Sequence, residues 1–194
     1  MAININFDEY KREVELTIKQ NPLECELYSL IAVVLRSCKN SNKYSFRDVS
    51  FLRYKGEEVE KRLKITDRQY KFFENNTEKY GSPDFVVLSP QYSFSDNDER
   101  KKLIFGCIEV KAIFEKLERT FQLDRELESF GKVLYANGLE WYYHEKGKEA
   151  KKWIIGNYNN KNPDYISAND CIEWEDESKW EELIKGLEEI SWEE

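Results

Sequence analysis

The residues LIFGCIEV at 103–110 constrain the fold more than any other stretch of the chain. The run is nearly continuous in apolar character, which reads as an interior strand covered on both faces. Such a strand needs neighbours, and FVVLS at 85–89, headed by Pro83-Asp84, is the first candidate. Between the two lies SFSDNDERKK, a polar loop of hairpin character. The interior run ends in charge. Side chains alternate along a strand, so Glu109 and Lys111 leave one face while Val110 leaves the other. An acid and an amine on an otherwise apolar strand need a reason, because buried charge is costly unless paired or metal-bound. With the two strands adjacent and antiparallel, Asp84 at the start of one lies near Glu109 at the end of the other.

The rest of the chain supplies helices and further strands. Residues 8–20 place Tyr10, Val14, Leu16 and Ile18 among charged positions at helical spacing. In NPLECELYSLIAVVLRSCKN the positions Leu23, Leu27, Leu30, Ile31, Val34, Leu35 and Cys38 follow the helical period, with Asn21-Pro22 as N-cap and first-turn proline. Residues 44–54 resemble a weak strand, and 57–79 read as helical in part, closed by Gly81-Ser82-Pro83. Periodicity makes 115–136 a helix ending at Asn137-Gly138. LEWYYH and KWIIGNY, joined by EKGKEA, form an aromatic hairpin. A last helix is predicted from Ser178, with Glu181 completing a capping box and Trp180, Leu183, Ile184, Leu187 and Ile190 as its apolar stripe. The expected class is α/β, a mixed β-sheet flanked by helices, with an acidic C-terminal helix.

The chain of 194 residues is 40% apolar and 14% aromatic, enough for one domain with a substantial core. No apolar run approaches the roughly 20 residues that span a bilayer, and the opening MAININFDEYKREVE lacks the pattern of a secretory signal. A cytoplasmic location without membrane contact is the expectation. Cys25, Cys38, Cys107 and Cys171 form no CxxC pair, which argues against a zinc ribbon or a disulfide framework. The net charge of −8 belongs to residues 171–194 alone, where ten acidic side chains face two lysines. Residues 1–170 hold 28 acidic and 28 basic residues, with basic clusters at Lys61-Arg62 with Lys64, Arg100-Lys101-Lys102, Lys146 with Lys148, and Lys151-Lys152. A polyanionic partner therefore stays open for a body spanning 1–170. Residues 171–194 read as an acidic helical segment packed on the same domain, with Trp174, Trp180 and Trp192 interleaved; the alternative is an imitation of the phosphate backbone.

Two carboxylates brought face to face repel, and a hard divalent cation relieves that repulsion. Mg²⁺ or Mn²⁺ takes oxygen ligands and usually retains water, which provides a nucleophile and room for a phosphate oxygen. Lys111 is then placed to orient or deprotonate the attacking water, or to neutralise charge on the phosphate.

Pro83-Asp84 followed by Glu109-Val110-Lys111 resembles the PD-(D/E)xK nuclease superfamily, of restriction-endonuclease-like fold. Gln122-Leu123, opening a helix that runs through Glu126 and Phe130 to VLYANGLEWYYHE, is similar to the N-terminal nuclease domain of type I restriction motor subunits. There a glutamine-bearing helix leads into an apolar strand, an Asn-Gly turn and an aromatic strand. The resemblance covers roughly residues 20–158. It implies Asp84 and Glu109 as metal-binding carboxylates, the Val110 carbonyl as a further ligand, and Lys111 as the catalytic lysine. It also implies a glutamate from the first core helix, Glu24 or alternatively Glu26, and a helical glutamine, Gln122. Glu24 has a competing role as the third residue of a capping box after Asn21. Glu126 stands where the family often has tyrosine. The implied activity is metal-dependent hydrolysis of DNA or RNA, DNA being favoured, by a homodimer or with a partner subunit. The alternative is an inactive nuclease-fold protein of a phage or host defence system that engages a protein partner.

Overall fold

The structure, a computed structural model, describes residues 5–50, 83–92, 103–159 and 171–193. The expected helix within 57–79, the loop at 93–102 and the basic clusters at 61–64 and 100–102 lie outside the described residues. Helix α1 (Phe7–Gln20) starts at a capping box between Asn6 and Glu9 and buries Phe7, Tyr10, Val14 and Ile18. Helix α2 (Glu26–Ser37) buries Leu27, Tyr28, Leu30, Ile31, Ala32, Val34 and Leu35. It starts later than the sequence pattern suggests. Asn21 caps the end of α1 instead, its backbone N–H donating to the Thr17 carbonyl, and Leu23 stays exposed in the connection. Glu24 thus precedes the helix, and no capping box forms there.

Strands β1 (Ser45–Asp48), β2 (Phe85–Leu88), β3 (Ile104–Val110), β4 (Lys132–Ala136), β5 (Glu140–Glu145) and β6 (Lys151–Ile154) form one mixed sheet in that order. The β2–β3 pair is antiparallel with Phe85 opposite Ile108, and β3–β4 is parallel with Val110 opposite Ala136. A parallel neighbour needs a crossover, and α3 (Phe121–Phe130) provides it. Periodicity predicts one helix over 115–136, but the helix stops at Gly131, whose φ of 75° is the left-handed C-cap conformation that glycine adopts without strain. Val133, Leu134, Tyr135 and Ala136 are buried on both faces of the sheet, an environment that a strand between two paired neighbours fills. A small antiparallel pair, β7 (Gly156–Tyr158) and β8 (Ile172–Trp174), leads to α4 (Glu177–Glu188). Asp176 caps α4, accepting from the Ser178 N–H, two residues before the expected cap at Ser178.

The sheet separates two sets of helices. Phe85, Val87, Ile108, Val110, Leu134 and Ala136 pack with α1, α2 and α4 in the main core. Cys107, Val133 and Tyr135 face the other way, against Leu117 and Leu123. The acidic segment shares the main core: Trp180 stacks on Phe7 with ring centroids 5.7 Å apart, and Leu183, Leu187 and Trp192 are buried. Its contact with the sheet is close, since a Cβ on Gly106 would lie 2.5 Å from the Trp192 ring. No helix among the described residues is long and apolar enough to cross a membrane.

Candidate active site

Strand alternation decides which side chains meet. Ile108 and Val110 enter the main core, so Glu109 points to the opposite face, where α3 packs. The antiparallel register brings the residue before Phe85 alongside the residue after Ile108, which sets Asp84 next to Glu109. Asp84 is fully buried and Glu109 is 1% exposed. The Val110 N–H donates to Asp84 Oδ2 at 2.7 Å. The N–H and C=O of one strand residue project to the same edge, so the Val110 carbonyl lies on the Asp84 side of β3.

Lys111 Nζ donates to Glu109 Oε1 at 2.7 Å and to Gln122 Oε1 at 3.2 Å. Gln122 Nε2 donates to the same Glu109 oxygen at 2.7 Å and to Glu126 Oε1 at 3.0 Å. Gln122 therefore faces the site from the first turn of α3, which Thr120 caps by accepting from the Leu123 N–H. The segment leading from Lys111 to α3 is tied to the end of β4, where Asn137 Nδ2 donates to the Glu115 carbonyl at 2.7 Å. Burial disfavours the charged Lys111 amine, but the adjacent Glu109 carboxylate outweighs it and raises the lysine above its ordinary range. The amine is therefore protonated at neutral pH.

Glu24 reaches the edge of the site through an intermediary. The Tyr28 hydroxyl contacts Glu24 Oε1 at 3.0 Å and also Asp84 Oδ1. Glu26 is engaged elsewhere, accepting from Asn21 Nδ2 at 2.8 Å. Of the residues expected at the site, Asp84, Glu109, Val110, Lys111 and Gln122 come together directly, and Glu24 joins them one hydroxyl away.

Two participants have no assigned role on sequence grounds. Tyr28 lies one helical turn after Glu24, but nothing in the sequence pairs it with Asp84. Glu126 lies one turn after Gln122 on the same face of α3, a spacing that would have flagged it. It is 5% exposed, its Oε2 has no hydrogen-bond partner, and burial pushes its carboxyl up to about 7. His144 lies away from this group on β5, with burial lowering its basicity.

Asp84, Glu109 and Glu126 are thus three buried carboxyls accompanied by one lysine, a local excess of negative charge that favours a cation or retained protons. The donor set is all oxygen, two carboxylates and a backbone carbonyl, which suits a hard divalent ion such as Mg²⁺ or Mn²⁺. Among the described residues no three His, Cys, Asp or Glu side chains form a metal cage by themselves. An ion here would be held by the Asp84–Glu109 pair, the Val110 carbonyl and water. No family model, curated protein or solved structure matches the chain.

Proposed function

We propose that this chain is a metal-dependent nuclease of the PD-(D/E)xK type, on a restriction-endonuclease-like core, hydrolysing phosphodiester bonds of DNA or RNA in the cytoplasm. The observation that carries the reading is the placement of Asp84 beside Glu109, with Lys111 and Gln122 bonded to the same Glu109 oxygen. Asp84 and Glu109 would hold Mg²⁺ or Mn²⁺, and the ion would supply Lewis acidity toward a phosphate oxygen and a water. The residues do the rest. Asp84 is fixed by Tyr28 and by the Val110 N–H, so the carboxylate beside Glu109 does not swing away. Gln122 ties Glu109 and the lysine into one hydrogen-bonded network. The Lys111 amine, bonded to Glu109 and partly open to solvent, is suited to orient the attacking water or to stabilise negative charge developing on the phosphate.

The surroundings suit a substrate with bases. Leu23, Phe114 and Phe121 are the large apolar side chains left exposed among the described residues, and each lies within three positions of Glu24, Lys111 or Gln122. The Arg125 guanidinium sits 5.1 Å from the Phe121 ring centroid, joining a cation to a stacking surface. Aromatic faces beside a phosphate-handling site favour unstacked, single-stranded bases.

The test is cleavage of single- and double-stranded DNA and RNA with Mn²⁺ or Mg²⁺ by the wild type, Asp84→Ala and Lys111→Ala. Hydrolysis by the wild type, abolished by a chelator, is expected, with a loss of about a hundredfold or more in each variant. Equal activity in all three proteins would contradict the proposal.

A further inference from the structure

A cleft of about 1090 Å³ opens at the end of the sheet away from Asp84 and Glu109. Strands β3 and β4 run parallel from Ile104 and Lys132, which line it, to Val110 and Ala136 beside the candidate active site. At about 3.3 Å per strand residue the two places lie roughly 20 Å apart. Two walls of the cleft carry opposite charge. One is the β5–β6 hairpin, with Lys146 and Lys151 exposed, and the other is the chain after α4, with Glu189 and Glu193 exposed. None of these four side chains has an ion-pair partner among the described residues, whereas Lys148 of the same hairpin is paired with Glu145 at 2.7 Å. Half-buried Ile104, Phe105 and Phe130 supply apolar lining between them. Both walls are held in place. The Lys146 N–H donates to the Gly131 carbonyl at 2.9 Å, and Lys132 Nζ donates to the Trp192 and Glu193 carbonyls at 3.1 and 2.9 Å. Little ordering is therefore left to be done when a partner arrives.

Unpaired lysines and glutamates in equal number do not describe a pocket for a polyanion, which Glu189 and Glu193 would repel. They describe a surface complementary to itself, on which a two-fold axis sets the lysine wall of one copy against the glutamate wall of the other. We infer that this cleft is the interface of a two-fold homodimer, in which Lys146 and Lys151 of one copy face Glu189 and Glu193 of the second. The interface stands independently of the proposed activity, and only its consequence rests on that reading. Because the cleft lies at the far end of β3 and β4, the two candidate sites point away from one another. Each copy then engages a separate stretch of nucleic acid.

The test is the association state of the full chain, measured by sedimentation velocity over a concentration series at low and high salt. A wild-type dimer that loosens with added salt is expected. Lys146→Glu with Lys151→Glu, and separately Glu189→Lys with Glu193→Lys, should each weaken association about tenfold or more. All four positions are exposed, so the fold should persist, which circular dichroism checks. Mixing the two double variants should restore a dimer, since every reversed charge then meets its opposite. A wild type that is monomeric at every concentration overturns the inference, whether or not the variants fold. A dimer that both folded variants keep overturns it as well, and so does a mixture that stays monomeric. None of these results bears on Mn²⁺ binding by Asp84 and Glu109, so the inference and the proposed function fail separately.

Discussion

At the scale of single residues, the site is governed by how charge is buried. Glu126 is protonated in the folded chain well above the pH at which it would ionise in an unfolded one, because burial holds its carboxyl at about 7 rather than 4.5. Between those values the folded state binds more protons than the unfolded state, so this group makes stability fall as pH rises from about 4.5 through 7. At about 1.4 kcal/mol for each tenfold change in proton affinity, the loss reaches about 3 kcal/mol. Urea denaturation with a chelator present should therefore show the wild type losing stability between about pH 5 and 7.5, and Glu126→Gln losing less. Identical pH slopes would mean that Glu126 ionises freely. Tyr28 makes a second residue-scale prediction. Tyr28→Phe deprives buried Asp84 of a hydrogen bond, and urea denaturation should show a loss of roughly 1–3 kcal/mol. The sequence makes Asp84, Glu109 and Lys111 legible because alternation on an interior strand is a local property. It does not make Tyr28 legible, since its partner Asp84 is 56 positions away and only the packed sheet brings them together.

At the scale of elements, the short strands β2 and β3 are readable from apolar content, while the region after Lys111 is not. Val133-Leu134-Tyr135-Ala136 satisfies a helical stripe as well as a buried strand, and the decision is made by Gly131 and by the hydrogen-bonding edge of β3. That decision matters for the site, because a helix continued through 136 would leave β3 without its parallel neighbour. Gly131→Ala forces a Cβ into the left-handed region and should lower stability by about 1 kcal/mol, read by thermal denaturation, with open space around the new methyl so that nothing else is disturbed. The start of α3 makes the functional counterpart. Phe121 is 57% exposed next to Gln122, so Phe121→Ala costs little stability. If bases stack there, binding of a single-stranded oligonucleotide should weaken by about 1–3 kcal/mol, with duplex binding much less affected. Equal weakening on both substrates would count against stacking.

At the scale of the whole molecule, the acidic C-terminal segment is part of the core as well as a source of charge. Trp180, Leu183, Leu187 and Trp192 are buried with α1 and α2, so deleting 171–194 should unfold the chain rather than simply remove acidic charge that would repel a polyanion. That repulsion is better tested on exposed positions. Replacing Glu181, Glu182 and Glu189 with glutamine keeps the core, and should strengthen nucleic-acid binding at low salt and make it fall more steeply with added salt only if the tail repels the substrate. Charge arithmetic shows where the acidity sits; only the packing shows that the segment carrying it cannot be removed. The central question is whether Asp84 and Glu109 bind a divalent cation. Anomalous diffraction from crystals soaked in Mn²⁺ addresses this most directly. A peak between the Asp84 and Glu109 carboxylates, on the side of the Val110 carbonyl and lost in Asp84→Asn, is the predicted result, whereas Mn²⁺-soaked crystals of the wild type with no peak at these residues would contradict it.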